Sequence, residues 1–490
     1  MRFGSRILAG LGWTAGTRFL AQLVAWAVSI VVMRILSPTD YGLLAMATVL
    51  IAFLDLFSEL GLGWAVVHAR EVDVPTLRKV YGLVLIVHGV IFTVVYFTAP
   101  MVAAFFGEDR LTLIIRVIGI QFLFVAPGVI PKSMLQRALE FKWRSILDLA
   151  VSVVSAVAAL GFALAGFGVW SLVLGSLISV VLGTIGINIL HPFLRLPSFA
   201  FKGLGSLFAF GGYVAVSRVL SFLYRQADTV IGGRFLGKEQ IGYYSVGMHL
   251  ASLPMQRVSA ILNEVAFPAF ARIQDEPERV AYHVLQAVRL MSLCAFPVFW
   301  GIGSVAPEII RVLLGDKWEP AILPLQLLAI VMPVRLIGQL MPPTLQGVGK
   351  AKLAARNQLL VCVAMISAFL VGVRFGIPGL SIAWLAVFPL TFLANLRTWL
   401  PVLGLRASQL LGAMARPAIA GAAMLASVAA VRAVGVASGL SGLATLILVG
   451  AISYAALSLV INRDGLRDVR SLFQRGRDRP EPGGGQDLEI

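Results

Sequence analysis

The chain has 490 residues, 59% of them hydrophobic and 13% charged, with a mean hydropathy of +0.89 and a formal net charge of +16. A soluble domain carries about 25% charged residues, so this chain lacks the polar surface to face water all round, and a soluble enzyme or binding module is excluded. Its apolar residues fall in blocks of about 20, the length that crosses hydrocarbon as a helix. The blocks lack the period-2 alternation of barrel strands. The expectation is an all-α polytopic membrane protein with about 14 transmembrane helices.

The first predicted span, 13–36, carries Arg18 and Gln22 and runs on from Leu20 with no small-residue cleavage site for a signal peptide. It ends in RILSPTDYG, residues 34–42. The second, 42–66, holds Asp55 and Glu59 one turn apart. Spans at 80–104 and 111–131 follow, the latter with Arg116, read as an interfacial anchor. KSMLQRALEFKWR, 132–144, sets Leu135, Leu139 and Phe141 against Arg137, Lys142 and Arg144, which suits a helix lying on an anionic membrane surface. A short hairpin, 146–166 and 168–190, completes six helices within an N-terminal lobe, 1–200.

The seventh span, 206–232, is the most charged. Arg218 and Arg225 are seven residues apart and so within about 20° of each other around the axis. Asp228 lies one turn beyond Arg225, close enough to pair with it. The spans 241–264, 286–310, 320–346, 355–375 and 377–399 complete a C-terminal lobe, 201–400, with Arg257 and Arg335 as lower-ranked embedded cations. Two further spans, 414–434 and 440–461, occupy 401–462. The tail 463–490 is basic, has Leu466, Val469, Leu472 and Phe473 at helical spacing, and ends in RPEPGGGQDLEI, a disordered composition.

The basicity is a topology signal and not a nucleic-acid footprint. Alternate loops hold roughly 26 and roughly 8 Lys and Arg, and the rich side is that of both termini, which places them in the cytoplasm. Cys294 and Cys362 fall inside spans and read as small core residues without a disulfide framework. Most tryptophans, Trp318, Trp384 and Trp399 among them, fall near span ends and read as an interfacial belt.

Sliding the chain against itself exposes a repeat. RILSPTDYG at 34–42 returns as RFLGKEQIG at 234–242. The same offset pairs Gly12 with Gly212, Arg18 with Arg218, Leu20 with Leu220, Arg34 with Arg234, Leu36 with Leu236 and Gly42 with Gly242. An even number of spans separates the copies, so the halves point the same way and relate by an axis along the membrane normal. Two such lobes suggest a cavity that opens alternately to either side.

RILSPTDYGLLAMATVLIAFLDLFSELGL, followed by YRQADTVIGGRFLGKEQIGYYSVG and FPAFARIQDEPER, resembles the polysaccharide transporter family, the Wzx-type lipid-linked oligosaccharide flippases of the multidrug/oligosaccharidyl-lipid/polysaccharide (MOP) superfamily. The resemblance covers about residues 10–460. It implies a bilobed, MATE-like fold of twelve core helices plus two. It also implies export of undecaprenyl-diphosphate-linked sugar chains across the bacterial inner membrane, without a cofactor.

Such a substrate keeps its lipid tail in the bilayer, while its anionic head is costly at the membrane centre. Arginine forks bind phosphate oxygens bidentately, so Arg18, Arg218 and Arg225 are the candidate headgroup ligands. The competing reading for Arg18, Arg34, Arg218 and Arg234 is snorkelling from helix ends, and it is favoured for Arg34 and Arg234, which border turns. Asp55, Glu59 and Asp228 are candidates for ion coupling or for the cavity wall. Two rival functions are weighed. A MATE-type cation or drug antiporter needs an acidic cavity, and here embedded arginines outnumber buried acids. A multispanning polymerase or glycosyltransferase needs long outward loops, and those here are short. GVGK at 347–350 lacks the upstream glycine of a P-loop, and five scattered His support no metal site. The expected partners are the lipid-linked oligosaccharide, membrane lipids and, through the basic surface, a polymerase or glycosyltransferase.

Overall fold

The computed structural model describes residues 26–58, 73–137, 141–193, 195–199, 212–435 and 439–462, together with 465 and 467. Every regular element among them is helical. The first half contributes α1 (Trp26–Ile35), α2 (Pro38–Ser58), α3 (Val74–Phe106), α4 (Arg110–Leu135), α5 (Phe141–Leu164) and α6 (Val169–Leu190). A long helix, Gly212–Arg272, is broken at Gly237, where φ is 81°, into α7 (212–236) and α8 (238–272). Then come α9 (Pro277–Ser304), α10 (Asp316–Gly347), α11 (Ala351–Gly372) and α12 (Gly376–Leu403), followed by α13 (Ala407–Val434) and α14 (Leu440–Ile461). Ten apolar helical stretches in the described residues are long enough to cross a membrane, one of them running from α11 through α12. The pair α7–α8 is not among the ten, and its charged residues explain why. The protein is a multi-pass, all-helical membrane protein.

The recurring motif is the place where the lobes meet. In the first copy Ser37 precedes Pro38 at the start of α2. The Ser37 amide and hydroxyl donate to the Asp40 carboxylate at 3.0 and 2.6 Å, and the Asp40 amide donates back to the Ser37 hydroxyl at 3.3 Å. Ser-Pro-Thr-Asp is thus a reciprocal helix cap with proline in its first turn, where no amide partner is lost. The other Asp40 oxygen accepts the Val169 amide at 2.9 Å, tying the start of α2 to the start of α6. In the second copy Gly237 turns the same corner with a positive φ, which a side chain would disfavour.

Beyond the corner the two glycines cross. A Cβ on Gly42 would stand 1.7 Å from the Lys238 carbonyl oxygen, and a Cβ on Gly242 would stand 1.9 Å from that of Pro38. Residues 42 and 242 are repeat partners, and so are 38 and 238. Each lobe therefore receives the first helical carbonyl of the other, as a twofold axis between the lobes requires.

Prolines inside the helices leave carbonyls without an intrahelical partner, and neighbouring helices fill two of them. Pro100 frees the Tyr96 carbonyl, which accepts from Arg116 Nε at 3.2 Å. Pro297 frees the Leu293 carbonyl, which accepts from the Tyr454 hydroxyl at 2.8 Å and so fastens α14 to α9. Arg116 also lies 4.3 Å from the Tyr96 ring centre, so it anchors α4 to α3.

Of the segment 132–144, residues up to Arg137 lie in the helix that begins at Val129, Phe141 opens α5, and residues 138–140 lie outside the described residues. Two sequence expectations are corrected. Trp318 and Trp384 are fully buried and Trp399 is nearly so; an aromatic ring near a span end packs inward wherever a partner helix covers it. Cys294 is exposed, while Cys362 is in the core.

Replacing Gly42 or Gly242 by valine sets a side chain against backbone that cannot swing away. Each substitution is expected to cost about 1–3 kcal/mol, read as a lower midpoint of thermal unfolding in detergent. Unchanged midpoints in both variants would contradict the crossing.

Candidate functional site

At the Gly42–Gly242 end the lobes are joined by two sets of bonds related by the repeat. The loop after α3 sends Glu108 to pair with Lys238, at the start of α8. The matching corner, at the first turn of α10, sends Lys317 Nζ to the carbonyls of Arg34 and Ile35, at 2.7 and 3.2 Å, at the end of α1. Trp318, fully buried, donates its indole N–H to the Met33 carbonyl at 2.9 Å and packs edge-on against Tyr41 of the first lobe and Tyr243 of the second. Arg34 reaches toward the Val312 carbonyl at 3.5 Å, and Arg234 lies over the Phe105 ring at 5.9 Å. Both arginines are exposed, and each also touches the opposite lobe, because the turn that it borders meets that lobe.

Away from this seam, α7 divides into three faces. Phe222 is buried and its ring centre is 5.5 Å from that of Phe53 on α2, so this side of α7 looks at the other lobe. At 100° per residue, Phe222 lies about 40° from Arg218 and about 60° from Arg225. Val216 and Leu223 are exposed apolar side chains, each about 160° from the arginine two residues on. Arg218 and Arg225 are exposed as well, but on the side turned toward the first lobe. Measured from Gly237, Arg225 is about 18 Å and Arg218 about 28 Å along the axis. In a hydrocarbon layer of about 30 Å, Arg225 stands near mid-depth.

Among the described residues no acid pairs with either arginine. Among the described residues Arg225 makes one hydrogen bond, from Nε to the Ser221 carbonyl at 3.2 Å. Its pairing with Asp228, expected from their spacing, is not formed. The Ser221 hydroxyl donates to the Ser217 carbonyl at 2.7 Å and accepts from Gln358 of α11, which brings a polar amide beside the arginine face.

The third face of α7 carries Asp228 into the core of the second lobe. Asp228 is 1% exposed. Its carboxylate accepts from the Tyr244 hydroxyl at 2.7 Å, the Trp384 indole N–H at 2.8 Å and the Thr229 amide at 2.6 Å. Arg335, 7% exposed, stacks 3.7 Å from the Trp384 ring centre and hydrogen-bonds to the sulfurs of Met248 and Met332 at 3.6 Å. This cluster of α7, α8, α10 and α12 was not assembled from the sequence. The signal available there was an acid and an arginine, each inside an apolar span.

Of the remaining candidates, Asp55 is exposed on α2 and accepts from the Ser58 hydroxyl at 2.7 Å. Arg18 and Glu59 lie outside the described residues, as does the Arg257 side chain. No group of three or more His, Cys, Asp or Glu that could hold a metal occurs among the described residues.

Comparison with known proteins places this geometry. A family described as polysaccharide biosynthesis protein matches residues 31–323. The teichuronic acid biosynthesis protein TuaB of Bacillus subtilis (strain 168) is 26% identical over 355 residues, 71% of this chain and 73% of that one. The lipopolysaccharide biosynthesis protein WzxC of Escherichia coli (strain K12) is 23% identical over 393 residues, 79% of each. Among solved structures, the lipid II flippase MurJ in an inward closed conformation has a TM-score of 0.73 at 14% identity, over 92% of this chain and 99% of that one. An inward-facing multidrug resistance MATE family transporter of the MOP superfamily has a TM-score of 0.56 at 14% identity, over 78% and 95%. The fold is shared with both, and with the family match spanning more than half of its length, the chain belongs to the polysaccharide biosynthesis protein family.

Proposed function

We propose that the protein is a flippase, not an enzyme, which carries an undecaprenyl-diphosphate-linked oligosaccharide across the bacterial inner membrane between its two lobes. The observation that carries this reading is the pair Arg218 and Arg225, exposed on the side of α7 that faces the other lobe, with no acid among the described residues holding either. An arginine near mid-depth is expensive unless it faces water or a polar ligand. A diphosphate offers oxygens in the geometry that guanidinium forks accept. Gln358 and Ser221 beside them suit sugar hydroxyls, while the lipid tail stays in the bilayer. Relatives named for teichuronic acid, lipopolysaccharide and succinoglycan biosynthesis support a glycan substrate. An organic cation would be repelled by this face, which disfavours the antiporter reading.

The ion-coupling candidates separate in the same reading. Asp228 has its oxygens occupied by three donors and belongs to the lobe core. Among the described residues Asp55, exposed and bonded to Ser58, is the acid left for proton or sodium coupling, beside Glu59, which lies outside them. Both termini are placed in the cytoplasm by the loop charges, which puts the Gly42–Gly242 seam on the outer side. Opening outward then requires the Glu108–Lys238 and Lys317 bonds to part, while the inner ends of the lobes close. A polymerase or glycosyltransferase would meet the carried glycan on the outer or inner side.

In a strain that depends on this gene for its surface glycan, Arg218→Ala and Arg225→Ala are expected to lower surface polysaccharide at least tenfold with the protein still in the membrane. Normal polysaccharide from both would overturn the assignment. Reversing one charge of the seam pair, Glu108→Lys or Lys238→Glu, sets like charges together. Export is expected to fall in each single variant and to recover in the double reversal. A double variant no better than the worse single would contradict the latch.

A further inference from the structure

The two lobes differ at a corner where the repeat makes them correspond. Asp40 and Gln240 hold the same place in the repeated motif. Phe167–Gly168–Val169 leads into α6 and Phe375–Gly376–Ile377 into α12, the last helix of each lobe, and both glycines have a positive φ, 56° and 71°. In the first lobe the corner is shut. Asp40 accepts the Val169 amide at 2.9 Å, and a Cβ on Gly168 would stand 3.0 Å from the same oxygen. In the second lobe glutamine stands in place of the aspartate, and a cavity of about 490 Å³ opens between Gln240 and Ile377–Pro378. That volume falls in the range of small-molecule sites, about 300–1,000 Å³.

The third wall of this groove is the turn that leads into α10. Arg311 sits in a π-turn, Ile309–Leu314, which Gly315 ends with a φ of 94°, and such turns recur at functional sites. Arg311 Nη2 pairs with one oxygen of Glu319. Both side chains are more than half exposed, and neither they nor Gln240 make a further side-chain hydrogen bond among the described residues. Guanidinium donors, a carboxylate oxygen and an amide that both donates and accepts therefore line one space. Pro320, Leu323 and Pro378 give it an apolar floor, which the two proline rings stiffen.

A cation and an anion side by side favour neither a phosphate nor an ammonium group. A neutral ligand rich in hydroxyls, with C–H faces to lay on the floor, uses all of these groups. Position narrows the identity. Lys317 and Trp318, which join the lobes at the seam, lie in the same short turn as Glu319 and Pro320, so the groove borders the outer mouth by which cargo would leave.

We propose that this groove is an outer subsite for the sugars of the carried glycan, which it grips as they emerge from between the lobes. The assignment rests on the transport reading, and its test is one of binding, separate from export. Saturation-transfer NMR of the full chain in detergent measures binding of the repeat-unit oligosaccharide released from the organism's own surface glycan. The native chain is expected to bind it. Gln240→Leu with Leu323→Trp removes the amide and fills the groove, and is expected to weaken binding about tenfold at an unchanged midpoint of thermal unfolding. Gln240→Leu alone, at an exposed position, is expected to give part of that loss. The double variant Arg218→Ala, Arg225→Ala is expected to bind the free oligosaccharide as the native chain does, and its export tests the transport reading by itself. No binding to the native chain, or undiminished binding in either groove variant, would overturn the proposal. So would loss of binding in the arginine variant, since the sugars would then sit on α7. Displacement of the oligosaccharide by equimolar phosphatidylglycerol would make the groove a lipid site and overturn it too.

Discussion

The architecture depends on one close approach: two glycines, each lying against the first helical carbonyl of the opposite lobe. Backbone meets backbone there, so the contact has almost no compliance. It fixes where the lobes touch and leaves the rest of the interface to side chains. The two loop latches, Glu108 to Lys238 and Lys317 to the end of α1, surround that point in matching positions. A joint of this kind holds two rigid bodies at one end and lets their other ends differ. Lobes that rock must be able to release such a joint, and strong bonds that are few and solvent-accessible are the ones that can be exchanged for a second set.

From the seam, α7 sets the chemistry of the space between the lobes. Its three faces have three fates: apolar toward lipid, cationic toward the other lobe, and acidic into its own core. The acidic face is saturated. Tyr244, Trp384 and the Thr229 amide leave Asp228 little to offer a ligand, and Arg335 stacks behind them on Trp384. The cationic face is the reverse, with Arg225 held, among the described residues, by a carbonyl of its own helix. Charge that would be ruinous in hydrocarbon is tolerated where it lines a polar passage; in the proposed route the division of α7 would supply that passage with cations while locking the neighbouring anion away.

Much of this was legible in the residues. Hydropathy found the helices but misjudged some ends by a turn or two, as where α9 begins at Pro277 and not at 286, and the repeat of Gly42 in Gly242 and Arg34 in Arg234 announced two lobes. Spacing put Arg218 and Arg225 on one face. What spacing could not decide was the partner of each group. Asp228 is one turn from Arg225 in sequence, yet the helix twist turns it about 60° away, toward Tyr244 and Trp384 from remote segments. Arg34 and Arg234 looked like membrane-surface residues because a turn follows each; only the fold shows that the turn abuts the other lobe. Trp318 and Trp384 misled for the same reason, since depth along a helix says nothing about which neighbour covers it.

The claim that matters most is that the Arg218–Arg225 face lines a wet cleft and Val216–Leu223 faces lipid. Single cysteines at 225 and 223, in a chain whose Cys294 and Cys362 are replaced by serine, separate the two with a charged thiol reagent applied to both sides of membrane vesicles. The account predicts rapid labelling at 225 and negligible labelling at 223. Labelling at 223 with protection at 225 would place the arginines in hydrocarbon and remove the route.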